Sequence, residues 1–215
     1  MLDSKGFDLW ADGYDKSVRL SEEYNTYPFA GYKRVLGSIY NTIRSGKGKR
    51  VLDVGFGTGI LAKRLYDEGY SIAGIDFSER MIETAGEKMP EAELIRHDFS
   101  QGLPDSLKGR TFDFIVCTYA IHHLEDEGKI TLITELLGLL SPEGRLLIGD
   151  IAFSTEAELE QCRVQSGDDW DDEESYPVVE RLKPVFPQLR FEKISFCSGV
   201  ILFEAPANKM KDGRL

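Results

Sequence analysis

Val51-Leu52-Asp53-Val54-Gly55-Phe56-Gly57-Thr58-Gly59 is the stretch that decides the fold of this 215-residue chain. Val51, Leu52 and Val54 around a single acid read as a short buried strand. Glycines at alternate positions read as a tight loop whose backbone can approach a ligand closely. Ile60, Leu61 and Leu65 open a helical pattern at once. Strand, glycine loop and helix in succession form the nucleotide-binding arrangement of open α/β sheets.

Outward from this stretch the pattern alternates. Strand 50–54 leads to helix 59–68. Strand 71–75 leads to a helix with Ser78 as its candidate N-cap. Strand 93–96 is followed by a loop marked by Gly102 and Pro104, and strand 112–117 leads to helix 126–140. The turn Ser141-Pro142-Glu143-Gly144 opens onto strand 145–150. Such alternation predicts an α/β fold with parallel strands joined by right-handed crossovers. Past residue 153 the pattern changes. Helical segments are expected over 155–164 and 176–186, then strands over 189–196 and 199–204 around Ser198-Gly199. A connection that short joins antiparallel neighbours, so the sheet is expected to end in a hairpin.

At the other end, Phe7, Trp10, Ala11, Tyr14 and Val18 make a helical stripe. A second follows Pro28, through Phe29, Tyr32, Leu36, Ile39, Tyr40 and Ile43. The expected organisation is one domain: a helical cap (1–48), a ligand-binding core (49–152) and C-terminal helices with a strand hairpin (153–207). The tail from Asn208 reads as frayed.

Composition is ordinary for a globular chain, with 41% hydrophobic and 29% charged residues. No apolar run approaches the roughly 20 residues that span a bilayer. Met1-Leu2-Asp3-Ser4-Lys5 lacks a signal pattern, and a cytoplasmic protein is expected. Cys117, Cys162 and Cys197 are far apart in sequence. They fit reduced thiols better than a disulfide framework or a zinc site, and no metal site is expected. Net charge is −11. Between Glu156 and Glu180 ten acids face one base, Arg163. Such a surface repels phosphate backbones and argues against a nucleic-acid partner. Within it, Asp168-Asp169-Trp170-Asp171-Asp172-Glu173-Glu174 reads as a solvated loop, with a lid beside a site as the alternative.

Two ligand classes compete for the glycine loop. A dinucleotide fingerprint, G-x-G-x-x-G, needs its third glycine at position 60, where the chain has Ile. Asp76 closes the second strand, 21 residues after Gly55. An acid there can accept hydrogen bonds from both ribose hydroxyls, whichever ligand class carries the ribose. Asp98, in His97-Asp98-Phe99, ends the third strand. Its carboxylate could accept from an exocyclic amine while Phe99 packs on a base, although a loop acid without a ligand fits equally well.

Taken in order, Val51 to Gly59, Gly74-Ile75-Asp76-Phe77-Ser78, His97-Asp98-Phe99, Phe112 to Val116 and Tyr119-Ala120-Ile121-His122-His123-Leu124 resemble a class I S-adenosylmethionine-dependent methyltransferase. The resemblance covers roughly residues 50 to 150. Asp8-Leu9-Trp10-Ala11-Asp12-Gly13-Tyr14-Asp15 narrows it toward the YrrT-like bacterial methyltransferases, for which it implies no substrate. It implies a Rossmann-like, mostly parallel seven-stranded sheet with a terminal antiparallel strand. It also implies S-adenosyl-L-methionine as cofactor and S-adenosyl-L-homocysteine as product. Gly55 would face the methionine part of the cofactor, with Gly57 and Gly59 as further cofactor-binding positions of the loop. Asp76, next to Phe77, would hold the ribose, and Asp98, next to Phe99, would meet the adenine amine.

Methyl transfer from a sulfonium is an in-line displacement. The protein aligns nucleophile, methyl and sulfur and excludes water. A base is needed only where the acceptor binds protonated. His122 and His123 follow the fourth strand, so they fall near the crevice and are the candidate catalytic bases. The alternative is that one imidazole packs or caps while the other faces solvent. Tyr14 shares a helix face with Trp10. The helix is expected either to dock by its aromatic stripe or to point the Tyr14 hydroxyl at the methionine end of the cofactor. Tyr24, Tyr27 and Tyr32 could line an acceptor pocket. Asp53 is expected to orient the glycine loop and to move no proton. Cys117-Thr118-Tyr119-Ala120 lacks the Asn/Asp-Pro-Pro-aromatic signature of enzymes that methylate nucleobase amines. The expectation is methylation of a small molecule. A nicotinamide-dependent oxidoreductase and a non-catalytic S-adenosylmethionine sensor are the competing readings.

Overall fold

The structure is a computed structural model that describes residues 26–205. Trp10, Tyr14, Tyr24 and the tail from Asn208 lie outside the described residues. The elements in chain order are α1 (Tyr32–Ser45), β1 (Arg50–Val54), α2 (Ile60–Asp67), β2 (Ser71–Asp76), α3 (Glu79–Lys88), β3 (Glu93–Arg96) and β4 (Phe112–Thr118). They continue with α4 (Asp126–Leu137), β5 (Leu140–Ile151), α5 (Glu156–Ser166), α6 (Val179–Leu182), β6 (Arg190–Lys193) and β7 (Ser198–Glu204).

Seven strands form one sheet in the order β3-β2-β1-β4-β5-β7-β6. The first five run parallel, and β7 pairs antiparallel with both β5 and β6. This is the Rossmann-like sheet of class I methyltransferases. Alternation along β1 sends Val51 to one core and Leu52 and Val54 to the other. Val51 packs in the layer that contains Val35, Ile39 and Ile43 of α1, whereas Leu52 joins Leu132, Ile133 and Leu136 of α4. Because both faces are covered, the central strands read as nearly continuous apolar runs. Each fully buried Val or Leu there contributes about 1.5–3 kcal/mol. The strand order reverses between β1 and β4, and the carboxyl ends of those strands open the crevice where such sheets bind ligands.

Three boundaries differ from those expected. Ser141 to Gly144 lie inside β5 as a register shift, between Phe112 paired with Leu140 and Phe114 paired with Arg145. They bend the strand without ending it. The helix expected over 176–186 is only the single turn α6. Phe153 bridges Val178, with Phe153 N–H donating to Pro177 O (3.0 Å) and Val179 N–H to Phe153 O (2.9 Å). That extended pairing consumes the first residues, and Pro184 supplies no N–H to continue the helix. The hairpin turn sits at 194–197, not at Ser198-Gly199, which open β7. Ser195 Oγ accepts from Cys197 N–H (3.2 Å) and Ser198 N–H (3.0 Å), closing the turn from inside.

Candidate active site

A cavity of about 300 Å³ opens at the carboxyl ends of β1, β2 and β4. Its floor is the glycine loop. Gly55, Gly57 and Gly59 all hold positive φ (+69°, +55° and +74°). At Gly55 the constraint is also spatial, since a Cβ there would lie 2.6 Å from Ala120 Cβ. Beside the loop, Asp76 is almost fully buried. Its Oδ2 accepts from Gly57 N–H and its Oδ1 from Ser78 N–H, each at 2.9 Å. Ser78 in turn caps α3 by accepting from Met81 N–H (3.2 Å). One carboxylate thus fixes both the loop and the helix start.

Asp53 is 1% exposed and lines the same cavity, and its Oδ1 has no hydrogen-bond partner. Burial, reinforced by the nearby Asp76 charge, raises its pKa to about 7. Phe77 and Phe99 line the wall. Asp98 does not. It caps the short turn Phe99–Gln101, accepting from Ser100 N–H (2.9 Å) and Gln101 Nε2 (3.2 Å). Burial pulls its pKa upward, but these donors and nearby His97 outweigh it and hold the carboxyl below its usual range.

The opposite end of the cavity is assembled from three distant segments. Tyr119 leaves β4 in the left-handed region (φ +51°), a conformation that costs a non-glycine residue energy and turns the chain sharply. Its ring lies 5.6 Å from Phe29 and 5.0 Å from Tyr32. The following turn, Ile121–His123, delivers both histidines to the cavity. His122 is buried, with Nδ1 2.6 Å from Asp150 Oδ1. Burial opposes charge on this ring, but Asp150 and Glu174 outweigh it and raise its pKa. His123 is pushed the other way, to about 3, by burial and by the neighbouring His122.

The acidic run is docked over this end. Trp170 stacks on Tyr27 (centroids 5.2 Å apart, planes at 22°) and meets Tyr176 edge-on at 5.0 Å. Ser175 N–H donates to His122 O (3.0 Å). Lys129, buried in α4, donates to Ser175 Oγ (2.8 Å) and to Leu124 O. Asp169, Asp171 and Glu174 reach the cavity wall while Asp168 and Asp172 face solvent. The run is therefore a solvated loop on one side and a wall of the site on the other. Sequence reasoning named neither Asp150 nor Lys129, and nothing in their local sequence marks them.

The methyltransferase-domain family profile matches residues 51–144. An uncharacterized methyltransferase of Alkaliphilus oremlandii is 36% identical over 150 residues, covering 70% of this chain and 68% of its own length. Another, from Geobacillus kaustophilus, is 33% identical over 193 residues, 86% of each chain. The chain belongs to the class I S-adenosylmethionine-dependent methyltransferases. The fold agrees. The magnesium protoporphyrin IX methyltransferase of Synechocystis, solved with S-adenosylhomocysteine bound, superposes with a TM-score of 0.63 at 19% identity, over 81% of this chain and 83% of that one. The methyltransferase cavity described above fits its cofactor. Gly55, Gly57 and Asp76 line it, and the buried Asp53 Oδ1 there has no hydrogen-bond donor. Among the described residues no helix is long and apolar enough to cross a membrane.

Proposed function

We propose that this methyltransferase transfers the methyl group of S-adenosylmethionine to a small-molecule acceptor seated against His122, His123 and the aromatic wall. The observation that carries this reading is one concavity with two chemically different ends. One end has backbone donors and Asp76, suited to a nucleoside. The other has two histidines, Glu174 and a ring cluster, suited to a compact acceptor. The net charge of −11 supports a small acceptor over nucleic acid. Three buried free thiols are in keeping with a cytoplasmic enzyme. The N-terminal Asp8-to-Asp15 motif favours the YrrT-like subgroup.

In this reading Gly55 and Gly57 cradle the methionine part of the cofactor, Gly59 starts the helix behind them, and Asp76 takes the ribose. Phe77 and Phe99 flank the adenine, with Asp98 acting on Phe99 through the turn it caps. The acceptor attacks the methyl carbon, the carbon–sulfur bond breaks, and its electron pair stays on sulfur. Where the acceptor arrives protonated, His122 Nε2 takes the proton. Asp150 holds the Nδ1–H tautomer and stabilises the imidazolium. His123 stays neutral beside it.

The test is S-adenosylhomocysteine release across a panel of hydroxyl, thiol, amine and carboxylate acceptors, with calorimetry of cofactor binding alongside. Turnover that His122→Ala abolishes while S-adenosylhomocysteine still binds supports the assignment. Saturable binding of NADH but not of S-adenosylmethionine would overturn it. Tight cofactor binding with silence across the panel would favour a sensor.

A further inference from the structure

We propose that His122, His123 and Glu174 bind one divalent transition-metal ion, of the zinc or cobalt(II) class, at the acceptor end of the cavity. Each of the three offers a ligand atom, and these atoms all lie within 4.8 Å of one another. Two imidazole nitrogens and one carboxylate oxygen form the donor set of open zinc sites, where a fourth position is left for water or substrate.

The arrangement around His122 is the strongest argument. Its Nδ1 faces the buried Asp150 Oδ1 at 2.6 Å, so the ring proton belongs on Nδ1 and the lone pair on Nε2. Metal-binding histidines have their second nitrogen engaged by a carboxylate in this way, which fixes tautomer and ring orientation. His122 Nε2 then faces Glu174 Oε1 at 3.5 Å. That gap is long for a hydrogen bond. It matches the edge of a tetrahedron of donors about 2.0–2.1 Å from a central ion, which is about 3.4 Å. Closing the rest of the set requires movements of at most about 1.4 Å, within reach of side-chain rotation.

Glu174 is prepared in the same manner. Its Oε2 accepts from Tyr176 Oη at 2.7 Å, leaving Oε1 for the ion. Its backbone neighbour Ser175 is held by His122 O (3.0 Å) and by Lys129 (2.8 Å), so the two ligand segments keep their spacing. All three ligand residues line the cavity, which places the open coordination position toward an incoming molecule.

Binding of the ion stands independently of methyl transfer. Only its consequence rests on the function proposed above. An acceptor hydroxyl bound at the open position would lose its proton to solvent, and the resulting oxygen anion would attack the methyl carbon. The carbon–sulfur pair returns to sulfur and a neutral ether forms. With the ion bound, His122 Nε2 is occupied as a ligand and the solvent takes the proton that His122 would accept in the ion-free site; the favoured acceptors are then those with an oxygen donor.

The experiment is titration of chelator-treated protein with Co²⁺, followed by visible d–d absorption, and with Zn²⁺ by calorimetry. One equivalent is expected, with the intense visible bands of a low-coordinate cobalt site. Glu174→Gln and His123→Ala should each abolish the bands and weaken zinc binding by more than 100-fold. Asp150→Asn should weaken it 10–100-fold through His122. Since Asp150 is buried and that variant can fail to fold, Glu174→Gln at the cavity rim is the deciding one. Featureless spectra, or equal affinity in Glu174→Gln, overturns the proposal and assigns any uptake to the exposed acidic run. S-adenosylhomocysteine affinity measured on the same samples separates the outcomes. Cofactor binding without metal binding sinks the ion alone, and metal binding without cofactor binding sinks the methyltransfer reading of the cavity.

Discussion

Replacing Asp53 with Asn should remove a pH-dependent cost built into the strand that carries the glycine loop. Asp53 is 1% exposed, one of its oxygens lacks a donor, and its pKa is raised from 3.8 to about 7 by burial first and Asp76 second. The sign follows from linkage. Between 3.8 and about 7 the folded chain holds a proton that the unfolded chain has released, so stability falls as pH rises. Below that window the cost is absent, and above it the cost is complete. A shift of about three units at 1.36 kcal/mol each sets a ceiling near 4 kcal/mol, of which about 2–3 kcal/mol develops between pH 5 and 8. Asn is neutral throughout and close in shape. The stability difference between Asp53→Asn and the wild type should therefore grow by about 2–3 kcal/mol in the variant's favour from pH 5 to pH 8. Any fixed packing penalty of the amide cancels in that comparison, as does titration of His122, which both proteins share. Urea unfolding of both proteins at the two pH values measures it. A difference that stays constant to within about 0.5 kcal/mol would refute the reasoning and mean that Asp53 is ionised at no cost, through a donor or ordered water.

Four further substitutions test the site geometry. Asp76→Ala should weaken S-adenosylhomocysteine binding by about 1.5–3 kcal/mol, and unfolding should also register loss of the Gly57 and Ser78 contacts; unchanged affinity by calorimetry would remove Asp76 from the ribose. Gly55→Ala combines a left-handed backbone with the 2.6 Å approach to Ala120 and should cost about 2–5 kcal/mol in urea unfolding. Gly57→Ala meets nothing within 4 Å and should cost only about 1–2 kcal/mol, so equal costs would mean that the loop relaxes freely. Trp170→Ala should loosen the acidic loop, since each aromatic pair it loses, with Tyr27 and Tyr176, contributes about 0.5–1.5 kcal/mol. Faster amide exchange over 167–175 is expected, with protection elsewhere unchanged.

The glycine-loop end of the cavity was legible because its determinants are local. Strand, glycines, helix and Asp76 lie within 27 consecutive residues, and each acts through backbone geometry that its residue type dictates. Only glycine sits easily at φ near +69° beside Ala120, and a serine that opens a helical pattern is a cap wherever the chain folds. The same locality explains the misplaced hairpin turn. Ser198-Gly199 has turn composition, but Ser195 turns its hydroxyl back onto the backbone first, a choice made by one side chain that composition does not rank.

At the other end the sequence placed His122, His123, Tyr27 and Tyr32 at the cavity, but the contacts that orient them are mostly long-range pairs that no local pattern shows. His122 finds Asp150 28 residues away, and Tyr27 finds Tyr176 across 149 residues. The acid count of the 156–180 segment said correctly that the surface is negative. It could not say which acids turn inward, because that is decided by Trp170 stacking on Tyr27 and by Lys129 reaching Ser175. Lys129 shows the problem most clearly. In sequence it is one more charged residue on a helix, where a solvated position is the default. In the fold it is fully buried, its pKa is depressed by burial against the pull of Asp126, and it anchors the loop that carries Glu174. A charge that is costly to bury persists there because its hydrogen bonds hold the acidic loop against the histidine turn. The spacing of His122 and Glu174 therefore depends on a residue that does not itself line the cavity.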